Sequence, residues 1–147
     1  MGCFRVYRYS LRRESVGSVS ERASVGNPGS VVAFLRAIGL HEEEQECLLV
    51  LILDTRNNIR GYQEVTRGLL DQSLGHPREI FRFAVINNAK SIIMAHNHPS
   101  GSVAPSSADI QLTENIAEAG GIIGIRLTDH VIIGEEGYYS FVENGML

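Results

Sequence analysis

Lys90-Ser91-Ile92-Ile93-Met94-Ala95-His96-Asn97-His98-Pro99-Ser100-Gly101, continued by Ser102-Val103-Ala104-Pro105-Ser106-Ser107-Ala108-Asp109, turns from apolar to polar near its middle. The run up to Ala95 reads as a short strand. Two prolines and a glycine make the next stretch a loop. A helix then opens, with Ala108, Leu112, Ile116 and Ala119 on one face, and the spacing predicts its end at Gly120-Gly121. A strand feeding a loop feeding a helix is the repeating step of an α/β domain.

Outward from this unit the same logic holds. Upstream, Cys47-Leu48-Leu49-Val50-Leu51-Ile52-Leu53 is a continuous apolar run, as expected of a central strand covered on both faces. Asp54 to Asn58 supplies a turn, and Ile59 to Thr66 reads as the returning strand. Asn27-Pro28 opens a helix with Val31, Phe34, Leu35 and Ile38 at helical spacing, stopped by Gly39. His76-Pro77 opens another, with Ile80, Phe81, Ala84 and Val85 as its buried side. Downstream, Ile122 to Leu127, Val131 to Gly134 and Tyr138 to Val142 read as three further strands. The expected class is α/β, a mixed sheet flanked by helices. Residues 1–26, rich in Ser and Arg, read as an arm whose order depends on docking, and residues 27–147 as the domain.

Composition narrows the partners. The 147 residues suit one hydrophobic core, and a net charge of -4 argues against a strong, sequence-independent grip on nucleic acid. Arg5, Arg8, Arg12, Arg13 and Arg22 read as a solvated face of the arm, with a dedicated DNA contact as the alternative. The two cysteines, Cys3 and Cys47, form no C-x-x-C pair, which excludes a disulfide framework and fits a reducing cytoplasm. No apolar stretch is long enough to span a bilayer, and no secretory pattern opens the chain. Met1-Gly2 lacks the Ser or Thr that myristoylation wants, because position 6 is Val6. The expectation is a soluble, cytoplasmic protein.

His96 and His98 leave a strand end two residues apart, so both imidazoles can face one point. Asp109, in the first turn of the next helix, can reach the same point across the loop. Two imidazoles and a carboxylate suit one Zn²⁺, and three protein ligands leave a fourth position for water, as a catalytic site requires. Such a site needs a proton acceptor. Glu46, immediately before the buried run, is placed to serve as general base, and Ser106 to donate to a developing oxyanion. Ser106-x-x-Asp109 also has the pattern of a helix capping box. The two roles fit together if Ser107 shares the capping.

Glu46, His96-Asn97-His98-Pro99 and Ser106-Ser107-Ala108-Asp109 together resemble the JAMM, or MPN-plus, metalloprotease signature. The wording around them is similar to the RadC family: His76-Pro77-Arg78-Glu79, Ala95 to Gly101, and Asp129-His130-Val131-Ile132-Ile133-Gly134. This resemblance covers roughly residues 28–145. It implies a cytidine-deaminase-like (JAB/MPN) α/β fold, zinc held by His96, His98 and Asp109, Glu46 as acid–base, and Ser106 as oxyanion donor. Longer members of the family look as if they add an N-terminal helix-hairpin-helix module, for which 147 residues leave no room, so direct nucleic-acid binding is expected to be weak or absent. JAMM relatives cleave isopeptide bonds beside ubiquitin-like proteins, but nothing here identifies a peptide or protein substrate.

Several alternatives fall on their residues. His96-Asn97-His98 is contiguous, unlike the dispersed residues of an HNH nuclease. H-x-E with P-C-x-x-C, the deaminase ligand set, is absent, as is H-E-x-x-H. Cys47 reads as a buried strand thiol, and His41 and His76 as structural or exposed. His130 reads as a structural histidine at a strand end, with a place beside the metal as the alternative. Two function classes remain: a zinc-dependent amide or isopeptide hydrolase, and a metal-stabilised interaction module serving DNA repair or mobile-element functions.

Overall fold

Two apolar runs cannot face water on either side, and both become inner strands. The computed structural model describes residues 5, 8, 10, 12–15, 27–68 and 75–147; most of the expected arm lies outside them. The elements are α1 (Pro28–Ala37), β1 (Cys47–Leu53), β2 (Ile59–Arg67), α2 (Pro77–Ile86), β3 (Ser91–Asn97), α3 (Ser107–Ile123), β4 (Arg126–Ile133) and β5 (Tyr138–Ser140). A 3-10 turn, Leu40–Glu42, follows α1. The strands form one mixed sheet in the order β2-β1-β3-β4-β5. Only β3 and β4 run parallel, joined across α3.

Strand alternation sorts the core into two layers. Leu49, Leu51, Leu53, Ile93, Ala95, Val131 and Ile133 pack with Val31, Phe34 and Leu35 of α1. Leu48, Val50, Ile52, Ile92 and Met94 pack on the other face with Ile80, Phe81 and Ala84 of α2 and Ile116 of α3. Every residue of β1 and β3 is buried, whereas the edge strand β2 is half exposed. Turn and cap chemistry match the sequence signals. Asn27 caps α1 through Gly29 N–H at 2.9 Å, and Asp54 Oδ1 accepts from Arg56 and Asn58 N–H in the β1–β2 turn.

The structure departs from the periodic reading in four places. The buried stripe of α3 is Asp109, Thr113, Ile116 and Gly120; Ala108 is exposed and Leu112 only partly covered. The apolar count missed it because two of its members are polar and face the site. Helix α3 also runs through Gly120-Gly121 to Ile123 and is capped by Gly124 at φ 81°. Gly120 serves close packing: a Cβ there would lie 2.5 Å from the Ile125 carbonyl oxygen. Val85, expected inside, is 52% exposed. The two strands expected at Ile122 to Leu127 and Val131 to Gly134 are one, β4, because Asp129 and His130 are buried and hydrogen-bonded rather than turning the chain.

Candidate metal centre

The register of the sheet assembles the site. Leu48 of β1 stands opposite His96 of β3. Two residues further along an antiparallel pair, Glu46 comes opposite His98. By strand alternation these four residues share the face covered by α2 and α3. Between Leu127 and Asp129 the parallel pairing with β3 skips a residue. That bulge resets the alternation of β4 and turns His130 to the same face as His96. Helix α3 crosses above, bringing Asp109 down from its first turn.

Among the described residues, Glu46, His96, His98 and Asp109 each offer one ligand atom, all within 4.8 Å of one another. His96 Nε2 lies 2.9 Å from His98 Nε2 and 3.2 Å from Asp109 Oδ1. His98 Nε2 lies 3.4 Å from Asp109 Oδ2. Glu46 Oε1 stands back, 3.8 Å from His96 Nε2 and 4.0 Å from His98 Nε2. Ligand atoms about 2.0–2.1 Å from a tetrahedral zinc are about 3.3–3.4 Å apart. The two His–Asp contacts come close to that spacing, the His96–His98 contact is shorter, and Glu46 stands further off. The donor set could hold a metal ion, with Glu46 standing furthest from the histidine nitrogens.

Hydrogen bonds fix the orientation of these groups. His98 Nδ1 meets the Ser102 carbonyl at 2.7 Å; the carbonyl can only accept, so the ring proton sits on Nδ1 and a neutral ring presents a bare Nε2. Asp109 is 1% exposed. Burial pushes its carboxyl up, but His96 and the Ser106 N–H, 2.7 Å from Oδ2, outweigh this and hold it well below the usual carboxylate range. Ser106 caps α3 without help from Ser107: its Oγ accepts from Asp109 N–H at 3.1 Å. A hydroxyl that accepts there keeps its own proton free to donate.

Two residues of the site escaped the sequence reading. Asn97, 1% exposed, accepts from Cys47 N–H at 2.7 Å and donates to the carbonyls of Glu43 and Gln45 at 3.0 Å each. It pins the segment that carries Glu46, whose own carbonyl accepts from Gly68 N–H at 2.8 Å. The second is Thr113, whose Oγ1 is 2.6 Å from His130 Nδ1. His130 is a correction of another kind. It lies inside β4, fully buried, with Nε2 2.8 Å from His96 Nδ1. Burial, reinforced by the neighbouring histidines, pushes its imidazole well below the ordinary range, which favours the neutral ring. His76 caps α2 through Arg78 N–H at 3.1 Å, and Cys47 is buried.

A cavity of about 560 Å³ opens beside His98, bordered by His41, Glu42, Glu43, Glu44 and Glu135. A larger one, about 680 Å³, lies at the far end of β1 around Leu53, Arg60 and Phe83 and touches none of the cluster. No helix among the described residues is long and apolar enough to cross a membrane.

A mixed five-stranded sheet flanked by helices, with a Glu, His, His, Asp cluster where β3 leaves the sheet, is consistent with the JAB/MPN fold. The family model described as a RadC-like JAB domain matches residues 25–146, and the chain belongs to that family. It is 44% identical over 136 residues to a UPF0758 protein of Rubrobacter xylanophilus, covering 92% of this chain and 59% of that one. A UPF0758 protein of Clostridium beijerinckii is 40% identical over the same length, again 92% and 59%. One from Chlorobium phaeovibrioides is 51% identical over 106 residues, 72% of this chain and 48% of its own. The chain thus spans about half the length of the curated relatives it matches.

Proposed function

We propose that the chain is a zinc-dependent hydrolase of amide or isopeptide bonds, with His96, His98 and Asp109 as metal ligands, Glu46 as general base and Ser106 as oxyanion donor. The observation that carries this reading is the close approach of His96 Nε2, His98 Nε2 and the Asp109 carboxylate, at 2.9 to 3.4 Å. A neutral His98 that donates from Nδ1 presents a bare Nε2, and a bare nitrogen facing a second nitrogen and a carboxylate is suited to a cation between them. Zinc suits two imidazoles and a carboxylate and, when bound, supplies Lewis acidity and a water of lowered pKa. Glu46 stands just outside ligand distance. From there its carboxylate takes a proton from the attacking water and returns it to the leaving nitrogen as the C–O bond forms and the C–N bond breaks. The Ser106 proton, not used in capping, is available to the oxyanion.

Glu46→Gln tests this. It keeps size and polarity but removes the proton acceptor, so turnover should fall by about 10² to 10⁴ while zinc content and folding stay near wild type. The measurement is hydrolysis of a panel of peptide and isopeptide amides, with and without chelator. A variant that cleaves at the wild-type rate removes Glu46 from the mechanism. Zinc held equally well by His96→Ala removes the assigned ligands.

A further inference from the structure

We propose that Thr113 and His130 are positioning residues that set the tautomer of His96, holding its ring proton on Nδ1 so that a bare Nε2 faces the metal position. The argument counts protons along one chain of contacts. Thr113 Oγ1 is 2.6 Å from the Asp109 backbone carbonyl and 2.6 Å from His130 Nδ1. A hydroxyl has one proton, and the carbonyl can only accept, so that proton goes to Asp109. Towards His130 the Thr113 oxygen must accept, which puts a proton on His130 Nδ1. In a neutral ring, His130 Nε2 is then bare. It lies 2.8 Å from His96 Nδ1, which must donate. A neutral His96 with its proton on Nδ1 has none on Nε2, the atom 2.9 Å from His98 Nε2 and 3.2 Å from Asp109 Oδ1. Every bond in the series points one way, from His96 to the carbonyl of Asp109.

This ordering matters because free imidazole is not committed to one tautomer, and the wrong one would aim a proton at the cation. A ligating histidine ordinarily hands its second N–H to a carbonyl or carboxylate. His98 does so, to Ser102. His96 instead uses a second histidine, and the threonine one turn after Asp109 supplies the direction. The series also closes a loop between ligands on different elements: His96 on β3, His130 on β4, and Thr113 with Asp109 on α3. Phe141, stacked on His130 with ring centroids 4.8 Å apart, holds the middle ring in place.

The inference rests on the proposed metal centre, and its test separates the two. Long-range proton–nitrogen NMR of the metal-free protein at about pH 8, above the imidazole range, reads each tautomer directly. His96 and His130 should both be protonated on Nδ1. Thr113→Val, near-isosteric but without the hydroxyl, should abolish the His130 Nδ1–H pattern and weaken zinc about 10- to 100-fold in chelator competition. Thr113→Ser should restore both. His96 protonated on Nε2 in the wild type, or a folded Thr113→Val protein with wild-type zinc affinity, would overturn the relay. If Thr113→Val does not fold, the wild-type spectrum decides alone. A wild type that takes up no zinc defeats the metal centre instead, and the spectrum still decides the relay.

Discussion

Asn97 occupies the centre of the His-Asn-His triplet, yet its side chain faces away from both histidines and holds the segment from Glu43 to Cys47. Asn97→Ala would strip three hydrogen bonds at once. Most of the cost falls at Cys47, whose N–H would be left buried without a partner, about 1–3 kcal/mol. The bonds to the carbonyls of Glu43 and Gln45 are only partly buried, so water can replace them and their loss adds less, within the usual ~0.5–1.5 kcal/mol per bond. The expected destabilisation is about 2–4 kcal/mol. Asn97→Asp should cost a comparable amount by a different route. It keeps an acceptor for Cys47 but sets a carboxylate against two carbonyl oxygens.

Urea unfolding checks this, with zinc chelated so that metal linkage does not add to the apparent stability. Turnover supplies a second arm. Once freed, the Glu46 segment need shift only about 1 Å to cost about 10²-fold in rate, while the zinc content of the folded fraction should persist. If both variants unfold within about 0.5 kcal/mol of wild type, the clamp is decorative and the reasoning fails.

Acidification should release the metal. Asp109, held low, stays ionised: its contribution is present above about pH 3.9 and is lost only as pH falls through its folded value. Release beginning below about pH 6.5 would therefore report proton competition at imidazoles, and zinc retained down to about pH 4 in a dye assay would contradict it. Gly120→Ala should destabilise by about 1–3 kcal/mol despite better helix propensity, because its Cβ meets the Ile125 carbonyl at 2.5 Å and Phe81 at 3.2 Å. Gly121→Ala, next to it but with nothing within 4 Å, should be neutral or stabilising by up to ~1 kcal/mol. Equal melting temperatures for the two variants would refute the packing argument.

What the sequence made legible followed from period and punctuation. Cys47–Leu53 announced a doubly covered strand because seven apolar residues leave no face for water, and Asn27-Pro28 announced a helix start because cap and fixed φ coincide. His96, His98 and Asp109 were legible as candidates because each lies on or beside a recognisable element. The errors cluster where polar residues are buried. Thr113 and Asp109 line the inner face of α3, so an apolar count rotated the stripe onto Ala108 and Leu112. Asp129 and His130 sit inside β4, so their polarity read as a break between two strands. In each case hydrogen bonds absent from any local pattern make burial affordable: Ser140 Oγ and Val142 N–H to Asp129 at 2.7 and 3.1 Å, and Thr113 to His130.

The same reasoning explains why Glu46 was the hardest site residue to read. In sequence it stands beside Glu42, Glu43 and Glu44 and fifty residues from His96. What distinguishes it is register. Leu48 pairs with His96, and parity then gives positions 46, 48, 96 and 98 one face in common, whereas Cys47 and Asn97 face the α1 layer. The pattern His-Asn-His thus divides its labour by strand alternation. The two histidines turn to the cluster with Asp109, and the asparagine between them turns the opposite way to fix the segment that carries Glu46. A one-residue slip between β1 and β3 would send Glu46 to the wrong layer and break every Asn97 bond together. The clamp is thus a check on register as well as a positioning device.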